Sequence, residues 1–234
     1  MPPLAILRPS AIGFWQRSRP TISRYCSRPC ILRRWSSSKT WSDPTDRSKL
    51  SISWRPASVV AIQSDETRVE VGLIGREGMS GIAVVLGGDQ SPHSTYIQVA
   101  GEAQRITINE LRKAMHASET LRGLLLKFAQ AFMVQTAQTA IANARAHIDQ
   151  RLARWILMAH DRTGDANLPL THEFLALMLG VRRAGVTEAL QSLKRKKLID
   201  TGRNQIVLLN RKGIERAAGD SYGVPEKEYR RLIG

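Results

Sequence analysis

The stretch Leu168-Pro169-Leu170-Thr171-His172-Glu173-Phe174-Leu175-Ala176-Leu177-Met178-Leu179-Gly180-Val181-Arg182-Arg183 decides the fold. Thr171 is a helix N-cap residue, and Glu173 sits in the first turn, where the helix dipole favours an acid. Phe174, Leu175, Leu177 and Met178 give that helix an apolar face. Leu179-Gly180-Val181 then makes a tight turn, with glycine free to take a positive φ. A second helix follows from Arg182 to about Leu193 and buries Val186, Leu190 and Leu193. Ala176 is small where the two helices cross. The pattern predicts a helix-turn-helix.

The residues downstream sharpen it. Lys194-Arg195-Lys196-Lys197 extends the second helix with positive charge. Leu198-Ile199-Asp200 and Gln205-Ile206-Val207-Leu208-Leu209 flank Thr201-Gly202-Arg203-Asn204, which reads as a β-hairpin, and Arg211–Glu215 as a last short helix. A helix-turn-helix followed by a hairpin is a winged helix. Its second helix enters the major groove with its N-terminal turns nearest the bases, which places Arg182 and Arg183 there. An arginine fork fits guanine O6 and N7, while Glu188 accepts from a cytosine amino group or pairs with Arg195 or Arg182. Thr187 and Gln191 reach phosphate or bases. Thr171 holds a phosphate at the first helix's N-terminus, and Arg203 stands beside the backbone at the wing. Lys194 is a phosphate contact or simply part of a solvated helix end.

Working backwards, Leu152, Trp155, Ile156, Met158 and Ala159 mark an amphipathic helix ending at Gly164. His147 and His160 lack acidic or cysteine partners at ligand spacing and read as structural or exposed. Ser118 caps a much longer helix, on which Leu121, Leu125, Phe128, Phe132, Gln135, Thr139, Ala142 and Ala146 recur at alternating steps of four and three. That spacing predicts a dimerisation seam through Leu121, Leu125, Phe128 and Phe132, or else a face packed on the chain's own sheet. Thr107-Ile108-Asn109-Glu110 is a capping box opening a short helix to about His116. Before it, Val59–Ile62, Val69–Ile74, Ile82–Leu86, Tyr96–Val99 and Ala103–Ile106 are five apolar or alternating runs between glycine and proline clusters. They predict the strands of an antiparallel β roll.

Net charge divides the chain unevenly. Of the formal +15, residues 1–60 supply 11 basic and 2 acidic side chains, and residues 171–217 supply 10 and 4, while residues 61–170 are balanced. Met1 to Trp41 carry eight basic residues and no acid, with scattered Pro, Ser and Trp. This composition reads as a leader outside the fold, either a transit-like peptide or an out-of-frame stretch. The expected organisation is a basic leader over 1–57, disordered or misannotated, a truncated roll over 58–117 and a dimerisation helix over 118–147. A winged-helix domain over 148–222 and a tail over 223–234 complete it. The fold class is α+β.

Some classes are excluded. No apolar run approaches the roughly 18 residues a membrane helix needs. Cys26 and Cys30, the only cysteines, cannot alone make a four-ligand zinc site. No paired carboxylates, nucleophile–base set or phosphate loop suggests an enzyme; Glu77 and Asp89 are acids in turns.

The order of roll, short helix, long helix and winged helix resembles the Crp/Fnr family of bacterial transcription regulators. Gln150–Arg162 is similar to that family's link into its DNA-binding domain, and Leu168–Arg183 to its helix-turn-helix. The resemblance implies a cytoplasmic homodimer on inverted-repeat duplex DNA, with RNA polymerase as a further partner and no membrane association. It puts Arg183 at the family's main base-reading position, Glu188 at a second one, and Ala184 where some members carry an acid. Cyclic-nucleotide-binding members hold ribose and phosphate with a Gly-Glu pair and an Arg-Ser-Ala run. Here Gly78-Met79-Ser80-Gly81 and His93-Ser94-Thr95 stand instead, without the acid or the arginine. No cofactor is expected, and Thr136 and Thr139 read as ligand contacts or as polar seam residues. The competing readings are a small-molecule effector module and a truncated, inactive regulator.

Overall fold

The computed structural model describes residues 33–35, 40–42, 49–53, 57–62, 68–75, 78–91, 93–97 and 101–234. Cys26, Cys30 and Glu77, with most of the expected leader, lie outside the described residues. Three strands nevertheless come from that segment: β1 (Arg33–Trp35), β2 (Thr40–Ser42) and β3 (Lys49–Ser53). They are followed by β4 (Ala57–Ile62), β5 (Arg68–Ile74), β6 (Ser94–Ile97) and β7 (Gly101–Thr107). One sheet has the order β1-β7-β3 and the other β2-β6-β4-β5. Every pairing in both is antiparallel. The expectation that nothing before Ser58 belongs to the roll is therefore corrected. Short alternating stretches such as Leu50-Ser51-Ile52 pair residue by residue with β7, Leu50 opposite Ile106 and Ile52 opposite Gln104.

A second correction concerns Ile82–Leu86. This run is not a strand but the helical turn α1 (Ile82–Val85). A short apolar run fits a buried strand or a buried helix equally well. Flanking glycines decide it here: Gly81 leads in at φ 80°, and the Gly88 N–H closes on the Ala83 carbonyl at 2.8 Å.

The capping box forms as the sequence predicts. Thr107 Oγ1 accepts from the Glu110 N–H at 3.2 Å and Glu110 Oε2 from the Thr107 N–H at 3.1 Å, opening α2 (Ile108–Ala117). Ser118 Oγ caps α3 (Glu119–Arg145) by accepting from the Leu121 N–H at 3.2 Å. The face of α3 expected to make the dimer seam points inward. Leu121, Leu125 and Phe128 are buried with Met79, Val84, Ile106 and Leu111 in a core between roll and helices. Phe132 is partly buried over β5, so close that a Cβ on Gly72 would stand 2.5 Å from its ring. The four residues pack on this chain's own roll rather than offering it a partner.

After a break at Ala146 and His147, α4 (Ile148–Thr163) ends at Gly164, φ 69°. The winged helix follows: β8 (Asn167–Leu168), α5 (His172–Leu179), α6 (Arg183–Arg195), β9 (Ile199–Gly202), β10 (Gln205–Leu208) and α7 (Arg211–Ala218). Its core centres on Leu152, Trp155, Ile156, Leu175, Val186, Leu190, Leu193, Ile206 and Ile214. The stretch read as a tail is instead α8 (Val224–Ile233), with Pro225 in its first turn. Ile233 is buried in the core of the roll, and Tyr229 and Leu232 pack against that core.

Strand β5 joins the two halves. The Gln135 amide of α3 grips the Leu73 backbone from both sides, Leu73 N–H donating to Oε1 at 2.6 Å and Nε2 donating to Leu73 O at 3.1 Å. Arg162 Nε of α4 donates to the same carbonyl at 3.0 Å, and Trp155 Nε1 to buried Glu70 at 3.1 Å. Arg154, buried, donates to Thr139 Oγ1 at 3.0 Å. Burial lowers its pKa, opposed by the charges of Glu226 and Glu70.

Candidate nucleic-acid interface

Local sequence builds the helix-turn-helix one contact at a time. Thr171 Oγ1 accepts from the Phe174 N–H at 3.1 Å, starting α5 one residue after the cap. Gly180 ends it at φ 62°, the left-handed region where a side chain is strained. Space forbids one too, since a Cβ there would lie 2.9 Å from Val69. The Val181 N–H returns to the Ala176 carbonyl at 3.0 Å, and Arg182, in extended conformation, caps α6. Leu175, Val186 and Leu190 are buried between the helices, so the residues between them are forced outward.

That geometry gathers most of the expected contact residues on one helix. Arg182, Arg183, Glu188, Gln191 and Lys194 are exposed along α6, with Thr187 half-buried on its flank. Arg203 is exposed at the tip of the wing, beside Asn204, whose φ of 57° makes the two-residue turn. Glu188 has no salt bridge to Arg182 or Arg195 in the structure. Lys194 is held differently from expectation: its Nζ lies 2.8 Å from Asp200 Oδ1 and donates to Thr201 Oγ1 at 3.4 Å. The hydrogen bond from Lys194, helped by the Thr201 N–H, keeps the Asp200 carboxyl below its ordinary pKa. Lys194 thus ties α6 to the start of the wing.

Two residues absent from the expected set stand in the interface. Glu173 Oε1 lies 3.4 Å from Arg183 NH1, both side chains well exposed. His172 Nδ1 lies 3.1 Å from Thr187 Oγ1, while that hydroxyl donates to the Arg183 carbonyl at 3.1 Å. The Thr187 hydroxyl thus links the first turn of α5 to the Arg183 carbonyl at the start of α6. Their signal was in the sequence: both follow the N-cap directly, on the turn that faces the next helix's start.

Behind the interface, Asp161, Arg211, Tyr222 and His160 lock α4 to α7. Arg211 NH1 lies 2.7 Å from Asp161 Oδ1 and 2.9 Å from His160 Nδ1; NH2 donates to Tyr222 Oη at 2.8 Å, and Tyr222 Oη donates to Asp161 Oδ2 at 2.5 Å. Burial alone would raise the Asp161 pKa. The adjacent His160 ring, the Arg211 charge and hydrogen bonds from Tyr222 and Arg211 bring it below the ordinary value instead. Burial and the neighbouring Asp161 charge push the Tyr222 hydroxyl well up. His160 is structural, and His147, exposed, starts α4 through its N–H to Gln150 Oε1 at 3.1 Å.

Comparison with known proteins agrees with this geometry. Residues 150–217 match the Crp-like helix-turn-helix domain. No curated protein sequence is significantly similar to the chain. Among solved structures, FixK2 from Bradyrhizobium japonicum is 14% identical, with a TM-score of 0.69 over 81% of this chain and 97% of its own. A CRP-family transcriptional regulator from Thermus thermophilus is 18% identical, with a TM-score of 0.67 over 80% and 97%. CLP from Xanthomonas campestris, described as a c-di-GMP-responsive global regulator, is 18% identical, with a TM-score of 0.63 over 81% and 98%. The chain has the fold of the Crp/Fnr transcription regulators, and its residues 150–217 match their Crp-like helix-turn-helix domain.

Proposed function

We propose that this protein regulates transcription by binding inverted-repeat duplex DNA as a homodimer, each protomer laying α6 into the major groove. The observation that carries the reading is the open face of α6. Arg182, Arg183, Glu188 and Gln191 stand exposed together, with the Thr171 cap and the Arg203 wing on either side. Arg183 reads guanine, Glu188 accepts from cytosine, and Thr171, Thr187 and Arg203 hold phosphate. Duplex DNA, a second copy of the chain and RNA polymerase are the proposed partners, in the cytoplasm. No described helix is long and apolar enough to cross a membrane.

The proposed dimer contact uses the outer side of α3. Leu126, Met133 and Ile141 are its exposed large apolar residues. Gly123, Leu126, Gln130, Met133, Ala137, Ala140 and Ala144 repeat at steps of three and four along it, the spacing of a seam between two helices. This replaces Leu121, Leu125, Phe128 and Phe132.

Cyclic nucleotide is not the proposed signal. In the stretches where ribose and phosphate partners are expected, Met79 and Thr95 are buried and His93 is exposed. The test of the whole reading is selection of bound sequences from random duplexes, followed by gel-shift titration. A palindromic site whose binding collapses in Arg183→Ala supports it. No enriched palindrome, with the variant matching the parent, would overturn it.

A further inference from the structure

We infer that Glu173 is a specificity-determining residue of the DNA interface: it braces one edge of the Arg183 guanidinium so that the opposite edge meets guanine, and its charge penalises misplaced phosphate. The inference rests on the reading of Arg183 as a base contact. Glu173 stands on the first turn of α5, with Oε1 3.4 Å from Arg183 NH1 and side-chain exposures of 77% and 66% for acid and arginine. An ion pair so exposed contributes little to fold stability. On a surface meant for a polyanion, a carboxylate opposes binding. Folding gives this acid only the modest gain of a first-turn charge on the helix dipole, and recognition gives it a further role.

The chemistry of the arginine makes the brace possible. Guanidinium has five N–H donors in a planar fork; one contact through NH1 leaves enough on the far edge for guanine O6 and N7. The base of the side chain is fixed as well. Thr187 Oγ1 donates to the Arg183 carbonyl and is itself held by His172 Nδ1. With both ends located, fewer rotamers must be frozen on binding. Away from its site, the Glu173 carboxylate meets phosphates without a released arginine to offset it. Correct and incorrect DNA are thereby pushed apart in affinity, as repulsive elements do in specific interfaces.

The experiment uses the full chain and two probes: the duplex enriched by the parent protein and a scrambled duplex of equal length. Arg183→Ala is expected to lower the ratio of the two affinities about tenfold or more. Glu173→Ala should lower it by about threefold or more, at the same base pair that Arg183→Ala no longer senses, while tightening binding to the scrambled duplex. Glu173→Gln keeps an oxygen that accepts from Arg183 but loses the charge. It should hold most of the base-pair preference and still bind scrambled duplex more tightly. If Glu173→Ala keeps the parental ratio while Arg183→Ala loses it, the brace is refuted and base reading stands. If Arg183→Ala itself matches the parent, base reading falls and takes the brace with it. Unchanged thermal melting of the variants separates either result from unfolding.

Discussion

At the scale of single residues, buried charge and backbone conformation make the sharpest predictions. Asp161 has a depressed pKa in the folded protein. Its contribution to stability is therefore present above the unfolded value of about 3.9 and is lost as pH falls through the lower folded value. Asp161→Asn should cost on the order of 2–3 kcal/mol at neutral pH, discounted because Arg211 is partly exposed. It should also flatten the acid limb of a denaturation profile below about pH 4. Chemical denaturation across pH measures both. Lys197 gives the opposite case: it closes α6 with φ 54°, where glycine is the usual residue. Lys197→Gly should raise stability by about 1 kcal/mol, read as a higher melting temperature. The sequence displayed Asp161 and Arg211 only as two charges 50 positions apart. Their pairing depends on how α7 packs across α4, which no local pattern encodes.

At the scale of elements, α3 carries the instructive error. It has two apolar stripes, one through Leu121, Leu125 and Phe128, the other through Leu126, Met133 and Ala137. Both recur at heptad steps, so periodicity alone does not say which lies on the roll. Burial of the first stripe leaves the second for a partner. Leu126→Asp combined with Met133→Asp should convert a dimer to monomers in sedimentation equilibrium with little loss of folding. Phe128→Ala should instead cost about 3–5 kcal/mol of stability without that selective effect. The winged helix, by contrast, was legible almost to the residue. Caps, turn glycine, hairpin and apolar spacing all point there to one structure. Helix α8 was equally open to reading, because Pro225, Tyr229, Leu232 and Ile233 follow helical spacing. Its charges are mixed, two acids against three bases, and the stretch was read only as a tail.

Across the whole molecule, winged helix and roll are joined through β5. Gln135, Arg162 and Trp155 all hydrogen-bond to it, and the turn glycine of the helix-turn-helix rests on Val69. Gln135→Ala should leave the Leu73 N–H without its partner and cost about 1–3 kcal/mol, a drop of several degrees in melting temperature. Arg162 still serves the Leu73 carbonyl, which keeps the loss within that range.

The +15 charge also changes meaning at this scale. Part of the basic segment before Ser58 supplies strands of the roll, so its charge belongs in part to a sheet and is no simple nucleic-acid footprint. The placement of Ile233 in the core of the roll has a consequence for biosynthesis. Strands made early wait for a side chain far downstream. While α8 is still inside the ribosomal exit tunnel that side chain is held away from its site, and a nascent chain that stalls before α8 presents quality control with an unsealed core.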